Sequence, residues 1–138
     1  MPQWGERILD VGCGPGALAA ELISLGAEVG AADASASFVA AVRSRLPGVD
    51  VRHAVAEDLP FDDATFDRTV SQLAVHFFTD PVAGLREMSR VTRPGGLVAA
   101  AVWDLGARDT PLAVFWDAAK RLEPSAHDES GRAGTQKG

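Results

Sequence analysis

Eleven residues, Ile8-Leu9-Asp10-Val11-Gly12-Cys13-Gly14-Pro15-Gly16-Ala17-Leu18, join an apolar strand to a helix through three alternate glycines. Few folds accommodate such a junction. Glycines at 12, 14 and 16 strip side chains from the point where a strand reverses into a helix, so backbone N–H groups are expected to lie bare at the positive helix end. The turn reads as one that receives a ligand. Its flanking residues must say which, because several nucleotide-binding designs share a glycine-rich turn after a strand.

The rest of the chain supplies a parallel α/β unit around that turn. Arg7–Val11 reads as a buried strand, and 17–25 carries Leu18, Leu22, Ile23 and Leu25 at near-helical spacing, with Gly26 placed for a left-handed cap. A second strand, 27–32, ends at Asp33; Ser35 is positioned to cap a helix from 36 to 46, closed by Pro47-Gly48. A right-handed crossover lays these two strands side by side and parallel. Alternation of Val49, Val51, His53 and Val55 marks a third strand, and Asp50 and Arg52 give it an edge character. A fourth strand spans 67–71, and 72–79 is a loop or short helical turn. Residues 81–92 are amphipathic, capped by Asp80 with Pro81 at the first position, with Val82, Leu85, Met88 and Val91 on the inner face and Arg86, Glu87 and Arg90 outward. Pro94-Gly95-Gly96 reads as a hard stop before a fifth strand, 97–103. One more helix is expected over 111–122, and 123–138, poor in large apolar residues, reads as a disordered polar tail or part of an absent region. The expected domain is therefore 1–122.

Composition narrows the function classes. The 138 residues are 46% hydrophobic, enough for one globular core, and the net charge is -6. That balance, with no basic stripe carrying interleaved aromatics, argues against nucleic acid as a partner. Cys13, the single cysteine, has no disulfide mate and no adjacent base, and reads as a small buried residue. Cys13 and the three histidines lack metal-ligand spacing, so no metal is expected. With neither a signal peptide nor a long apolar span, the expected location is cytoplasmic and no membrane partner is expected.

Two ligands compete for the turn. Gly12-Cys13-Gly14-Pro15-Gly16-Ala17 satisfies a dinucleotide pattern, and Asp33 lies 21 residues after Gly12, where a ribose carboxylate would sit. Against NAD stands Asp10, at the end of the first strand. Its carboxylate would repel a pyrophosphate but could hold an ammonium.

The second discriminating feature is AEDLPFDDATFD, residues 56–67. Together with LDVGCGPG, AADAS and REMSRVTRPGG, in that order, it resembles the class I S-adenosylmethionine-dependent methyltransferases, and within them the ubiquinone and menaquinone C-methyltransferase branch. The resemblance covers Ile8 to about Trp103. It implies a Rossmann-like three-layer sandwich with a mostly parallel sheet in the order 3-2-1-4-5, S-adenosylmethionine as cofactor, and a small-molecule methyl acceptor. By the same resemblance Gly12, Gly14 and Gly16 border the methionine part of the cofactor with Asp10 near its amino group. Asp33 accepts the ribose hydroxyls, with Ala34 beside it. Ala56 and Glu57 lie at the adenine edge and Leu59 against the ring. Ser71, which completes the implied cofactor set, Gln72 and His76 follow the fourth strand, where the family's methyl-transfer cleft opens. Val55 departs from the family, which often carries Asp there, so adenine N6 recognition falls to Glu57 or to backbone groups. His76 is the one candidate for a base.

Relative to the family, helices before the first strand and the last two strands are missing. The expectation is a fragment of a longer methyltransferase, or a chain that buries its fifth-strand edge against a partner, as in a homodimer. A non-catalytic cofactor-binding or assembly module without a substrate lid is the alternative, and an NAD-dependent oxidoreductase the third reading.

Overall fold

The computed structural model describes residues 4–104 and 111–123. The chain divides into two compact units, Met1–Val102 and Trp103–Gly138. In the first unit the order is β1 (Arg7–Val11), α1 (Ala17–Ser24), β2 (Glu28–Asp33), α2 (Ala36–Arg45), β3 (Asp50–His53), β4 (Phe66–Gln72), a 3-10 turn (Val75–Phe77), α3 (Pro81–Val91) and β5 (Thr92–Ala101). The second unit contains α4 (Pro111–Leu122), as expected. The tail expectation, apart from Glu123, lies outside the described residues. Among the described residues no helix is long and apolar enough to cross a membrane.

The five strands form one parallel sheet in the order β3-β2-β1-β4-β5. Chain direction across the sheet reverses between β1 and β4, which puts the glycine turn at the carboxyl-end crevice where open α/β sheets bind ligands. Alternation along β1 splits the core in two. Leu9 and Val11 pack with Leu59, Phe61, Phe66, Met88 and Val91 under α3. Ile8, on the opposite face, meets Leu22 and Ala27 at α1. Asp10 shares that second face, and the neighbouring strand's Ala31 packs there with Val39 and Val42 of α2.

Local signals explain most element ends. Gly26 takes φ 90 after α1, and Asp80 caps α3 by accepting the Val82 and Ala83 N–H groups at 3.0 Å each. Ser35 stands at the α2 N-cap, but its side chain makes no capping bond; its hydroxyl meets that of Ser37. On α3 the buried stripe is Gly84, Met88 and Val91, while Val82 and Leu85 are exposed.

The Pro94-Gly95-Gly96 stop is corrected. β5 begins at Thr92 and runs through it. Between the pairs Phe66↔Thr92 and Arg68↔Leu97, β4 advances two residues and β5 five, so Arg93–Gly96 bulges from the ladder. Proline and glycine break the regular pairing there without ending the strand, because buried Thr92 anchors its start: Thr92 bonds both the Met88 carbonyl and the Thr69 hydroxyl at 2.7 Å. β5 is an edge strand.

Glu87 and Arg90, expected to face water, instead clamp the segment after β3. Glu87 Oε2 accepts the Leu59 N–H at 3.0 Å. The Arg90 guanidinium donates to the Leu59 and Phe61 carbonyls at 2.9 Å each, to Asp63 at 2.8 Å and to both Glu87 oxygens at 2.7 Å. That contact holds the Glu87 carboxyl below its usual range. The planar fork, and not the charge alone, makes these bonds. Arg90→Lys is therefore expected to destabilise the fold by about 1–3 kcal/mol. An unchanged urea midpoint would show that the clamp is ornamental.

Candidate functional site

At the carboxyl ends of β1, β2 and β4 a cleft of about 730 Å³ opens, within the range of small-molecule and cofactor pockets. Asp10 near the end of β1, Gly12 and Gly14 of the glycine turn, Asp33 and Ala34 at the end of β2, and Ala56 and Glu57 after β3 all line it. Seven of the residues expected in a cofactor site are thus brought to one place.

The glycines divide by role. Gly12 (φ 71) has no room for a side chain: a Cβ there would lie 2.4 Å from the Ala74 methyl. Gly14 (φ 52) lines the cleft, and a Cβ on it would meet nothing within 4 Å. Gly16 (φ 86) is outside the cleft lining; it lets Val42 and Leu46 of α2 approach the start of α1, where a Cβ would stand 3.0 Å from Val42.

The turn's N–H groups are not bare, which corrects the first expectation. Gly12 and Cys13 both donate to the Ala32 carbonyl, at 2.8 and 3.2 Å. Gly16 donates to the Cys13 carbonyl at 3.0 Å, and Gly14 to Asp33 Oδ2 at 2.8 Å. The other Asp33 oxygen accepts the Ser35 N–H at 2.8 Å. Asp33 thereby locks the end of β2 to the glycine turn. It keeps accepting capacity on both oxygens, since a carboxylate has about four lone-pair sites.

Asp10 is the anomaly. It is 1% exposed, and its Oδ2 has no hydrogen-bond partner. Burial, chiefly, pushes its pKa up to about 7; the Ala19 N–H opposes this and the Asp33 charge adds to it. A buried acceptor without a donor is rare in a native fold and calls for an explanation such as a ligand. Cys13 packs with Ala31, Val39 and Val42, and burial with the two nearby carboxylates pushes its thiol up to about 12, so it is an inert core residue.

Other expected site residues stand elsewhere. Leu59 is in the α3-side core. Ser71 is buried, with its Oγ unpartnered; strand alternation puts it on the sheet face opposite Asp10. His76 is exposed in the 3-10 turn, its ring 4.1 Å from that of Phe77, and does not line the cleft. Glu57 reaches the cleft while its Oε1 accepts the Asp80 N–H at 2.8 Å, tying the β3 loop to the start of α3. The sequence reading passed over Phe38, Leu73, Phe77 and Phe78, which line the cleft as well. Apolar residues near helices look like core in a sequence, and nothing in these letters signals that Leu73 adopts φ 58.

A family model described as a methyltransferase domain matches residues 9–100, which takes in all but the outermost ends of the sheet, the glycine turn and every residue lining the cleft. The chain belongs to the methyltransferase-domain family. S-adenosylmethionine is the cofactor of such domains. Over 100 residues the chain is 43% identical to a demethylmenaquinone methyltransferase of Clavibacter sepedonicus, covering 70% of this chain and 41% of that one. Over 103 residues it is 40% identical to a malonyl-[acyl-carrier protein] O-methyltransferase of Pseudescherichia vulneris, covering 72% and 41%. Among solved structures, a SAM-dependent methyltransferase from Aquifex aeolicus superposes with a TM-score of 0.71 at 26% identity, covering 88% of this chain and 72% of that one. The chain spans about two fifths of the length of the curated relatives it matches.

The cleft of this methyltransferase domain suits the cofactor's chemistry. An unpartnered buried carboxylate oxygen can take a methionine-type ammonium, Asp33 can take vicinal hydroxyls, and the open side of Gly14 admits close approach of a ligand.

Proposed function

We propose that the cleft binds S-adenosylmethionine and that the protein to which this domain belongs transfers its methyl group to a small-molecule acceptor. The observation that carries the ligand assignment is the internal use of the turn's N–H groups beside an unpartnered Asp10 oxygen. A pyrophosphate would find few open donors there and a buried carboxylate, whereas an ammonium finds an acceptor. That argues for S-adenosylmethionine over NAD. In this reading Asp10 takes the ammonium, Asp33 the ribose hydroxyls, and Ala34, Ala56 and Glu57 flank the adenine. Gly16, Leu59 and Ser71 support the walls from behind.

The cofactor supplies a methyl group already activated on a sulfonium. The chain's own contribution is to hold, align and exclude water, for which effective molarity is the main source of rate. His76 lies outside the cleft lining, on the 3-10 turn whose Phe77 borders the cleft. The relatives' names, one a quinone enzyme and one acting on a carrier-bound malonyl group, support a small-molecule acceptor. The β5 edge is the surface we assign to pairing, with a second copy or with further chain, and a cytoplasmic location fits this reading.

Calorimetric titration with S-adenosylhomocysteine and NAD tests the assignment. The first is expected to bind and the second not. Asp33→Ala, which removes two charged hydrogen bonds, is expected to weaken binding at least about 100-fold. Binding of NAD in place of S-adenosylhomocysteine would overturn the reading.

A further inference from the structure

We propose that Glu57 is a positioning residue for methyl transfer: from within the cofactor cleft, its carboxylate fixes the cleft wall formed by residues 73–79, between β4 and α3. The proposal rests on the reading of the cleft as the cofactor site.

The first observation is a helix cap completed from a distant loop. Asp80 caps α3 with its side chain, and in a capping box a Glu or Gln three places into the helix would reach back to the Asp80 N–H. That place is held by Ala83, which has no side-chain acceptor. Glu57, 23 residues earlier, supplies it: Oε1 accepts the Asp80 N–H at 2.8 Å. A glutamate at 83 would have capped the helix locally. What the long-range bond adds is a connection, because Glu57 lines the cleft and Asp80 directly follows Thr79, which lines it too.

The second observation is that the same wall is braced from the cofactor side at two more points. Ala74 packs on the glycine turn, its methyl 2.4 Å from where a Gly12 Cβ would stand. The Phe78 ring reaches from that turn to α3: Cβ atoms on Gly12 and Gly84 would lie 3.9 and 2.7 Å from it, and Ala56 of the loop after β3 meets the same Gly84 position at 3.3 Å. Gly12, Ala56 and Glu57 are all cleft residues. The wall's far end is tied to β5, where the Ala101 carbonyl accepts the Leu73 N–H at 2.8 Å.

These contacts link the two sides of the cleft. Opening the wall at Asp80 gives up the bond to the Glu57 carboxylate, which is charge-assisted. A cofactor that fixes the loop after β3 and the glycine turn therefore also holds the wall closed, and by reciprocity a closed wall favours the cofactor. Methyl transfer gains its rate from alignment, so the group that joins cofactor side to wall positions the reaction without touching the reacting atoms.

The test is amide hydrogen exchange followed by NMR on the full chain at pH 7, without and with S-adenosylhomocysteine at a concentration shown by titration to saturate each variant. In the parent chain the ligand is expected to slow exchange of the Phe77, Phe78 and Asp80 N–H groups at least about tenfold. Glu57→Gln, whose amide oxygen can still accept the Asp80 N–H, is expected to keep that slowing, and Glu57→Ala to reduce it to under about threefold. Glu57→Ala combined with Ala83→Glu rebuilds the cap inside α3. This chain is expected to recover the thermal midpoint that Glu57→Ala loses, about 2–4 °C, without recovering the slowing by ligand. Recovery of the slowing in the double variant, or its retention in Glu57→Ala, assigns Glu57 to helix capping alone and overturns the proposal. Equal loss in Glu57→Gln and Glu57→Ala, or a bound ligand that leaves the parent's three amides unchanged, overturns it as well. If the double variant's midpoint stays low, the contrast between Glu57→Gln and Glu57→Ala decides alone. In all these cases the cofactor reading stands, whereas failure of S-adenosylhomocysteine to bind the parent overturns both.

Discussion

At pH 8, Asp10→Asn is expected to raise the thermal midpoint of the ligand-free chain and to weaken S-adenosylhomocysteine binding at least about tenfold. Both effects come from one buried oxygen. In the folded chain burial lifts the Asp10 pKa from 3.8 to about 7, so between those values the unfolded chain ionises this group and the folded chain does not. Its contribution to stability is therefore neutral below pH 3.8, becomes increasingly unfavourable as pH rises to 7, and is fully unfavourable above 7. The penalty is on the order of 4 kcal/mol. Asparagine removes the ionisation but leaves an amide N–H₂ where Oδ2 had no partner, which costs about 1–3 kcal/mol. A net gain of about 1–3 kcal/mol remains at pH 8, and it should shrink as pH falls toward 4. Binding responds in the opposite sense. Only the carboxylate form can neutralise an ammonium, so the parent chain's affinity should rise between pH 5 and about 7 with proton release, and Asp10→Asn should bind at least about tenfold more weakly at pH 8. A variant that is less stable at pH 8, or that binds as tightly as the parent, would remove Asp10 from the site.

The same residue shows what could be read from the letters. Asp10 stood out in the sequence because a carboxylate before a glycine turn is wrong for a phosphate. The helices, the Asp80 cap and the place of Asp33 followed from periodicity, spacing and short-range chemistry, while the sheet order came only with the family resemblance. Long-range contacts were illegible. Arg90 and Glu87 sit on a helical face that spacing alone assigns to water, and only the fold brings the carbonyls of Leu59 and Phe61 to them. Pro94-Gly95-Gly96 looked like a terminator because local propensity says so, yet the Thr69–Thr92 contact keeps the strand going. Leu73 could not be foreseen, since its positive φ is imposed by a bond to β5 and not by its own side chain.

The glycine turn itself raises a question that sequence cannot answer: which glycines serve the chain and which serve the ligand. Gly12→Ala is expected to destabilise the fold by about 3 kcal/mol. A left-handed backbone accounts for about 1–2 kcal/mol of this, and overpacking against the Ala74 methyl, 2.4 Å from the new Cβ, for about another 1–3. Ala74→Gly in the same chain should recover the overpacking part and leave the backbone part, giving a coupling energy of about 1–2 kcal/mol in a double-mutant cycle of urea midpoints. Gly14→Ala has the same backbone sign but no steric neighbour, so it should lose only about 1–2 kcal/mol of stability. Its methyl, however, enters the cleft where a ligand must approach the backbone, and S-adenosylhomocysteine binding should fail in a chain that still folds. Additive Gly12 and Ala74 effects would mean that the β1 turn and the segment after β4 are not in contact as described. Unchanged binding in Gly14→Ala would place the ligand away from the turn altogether.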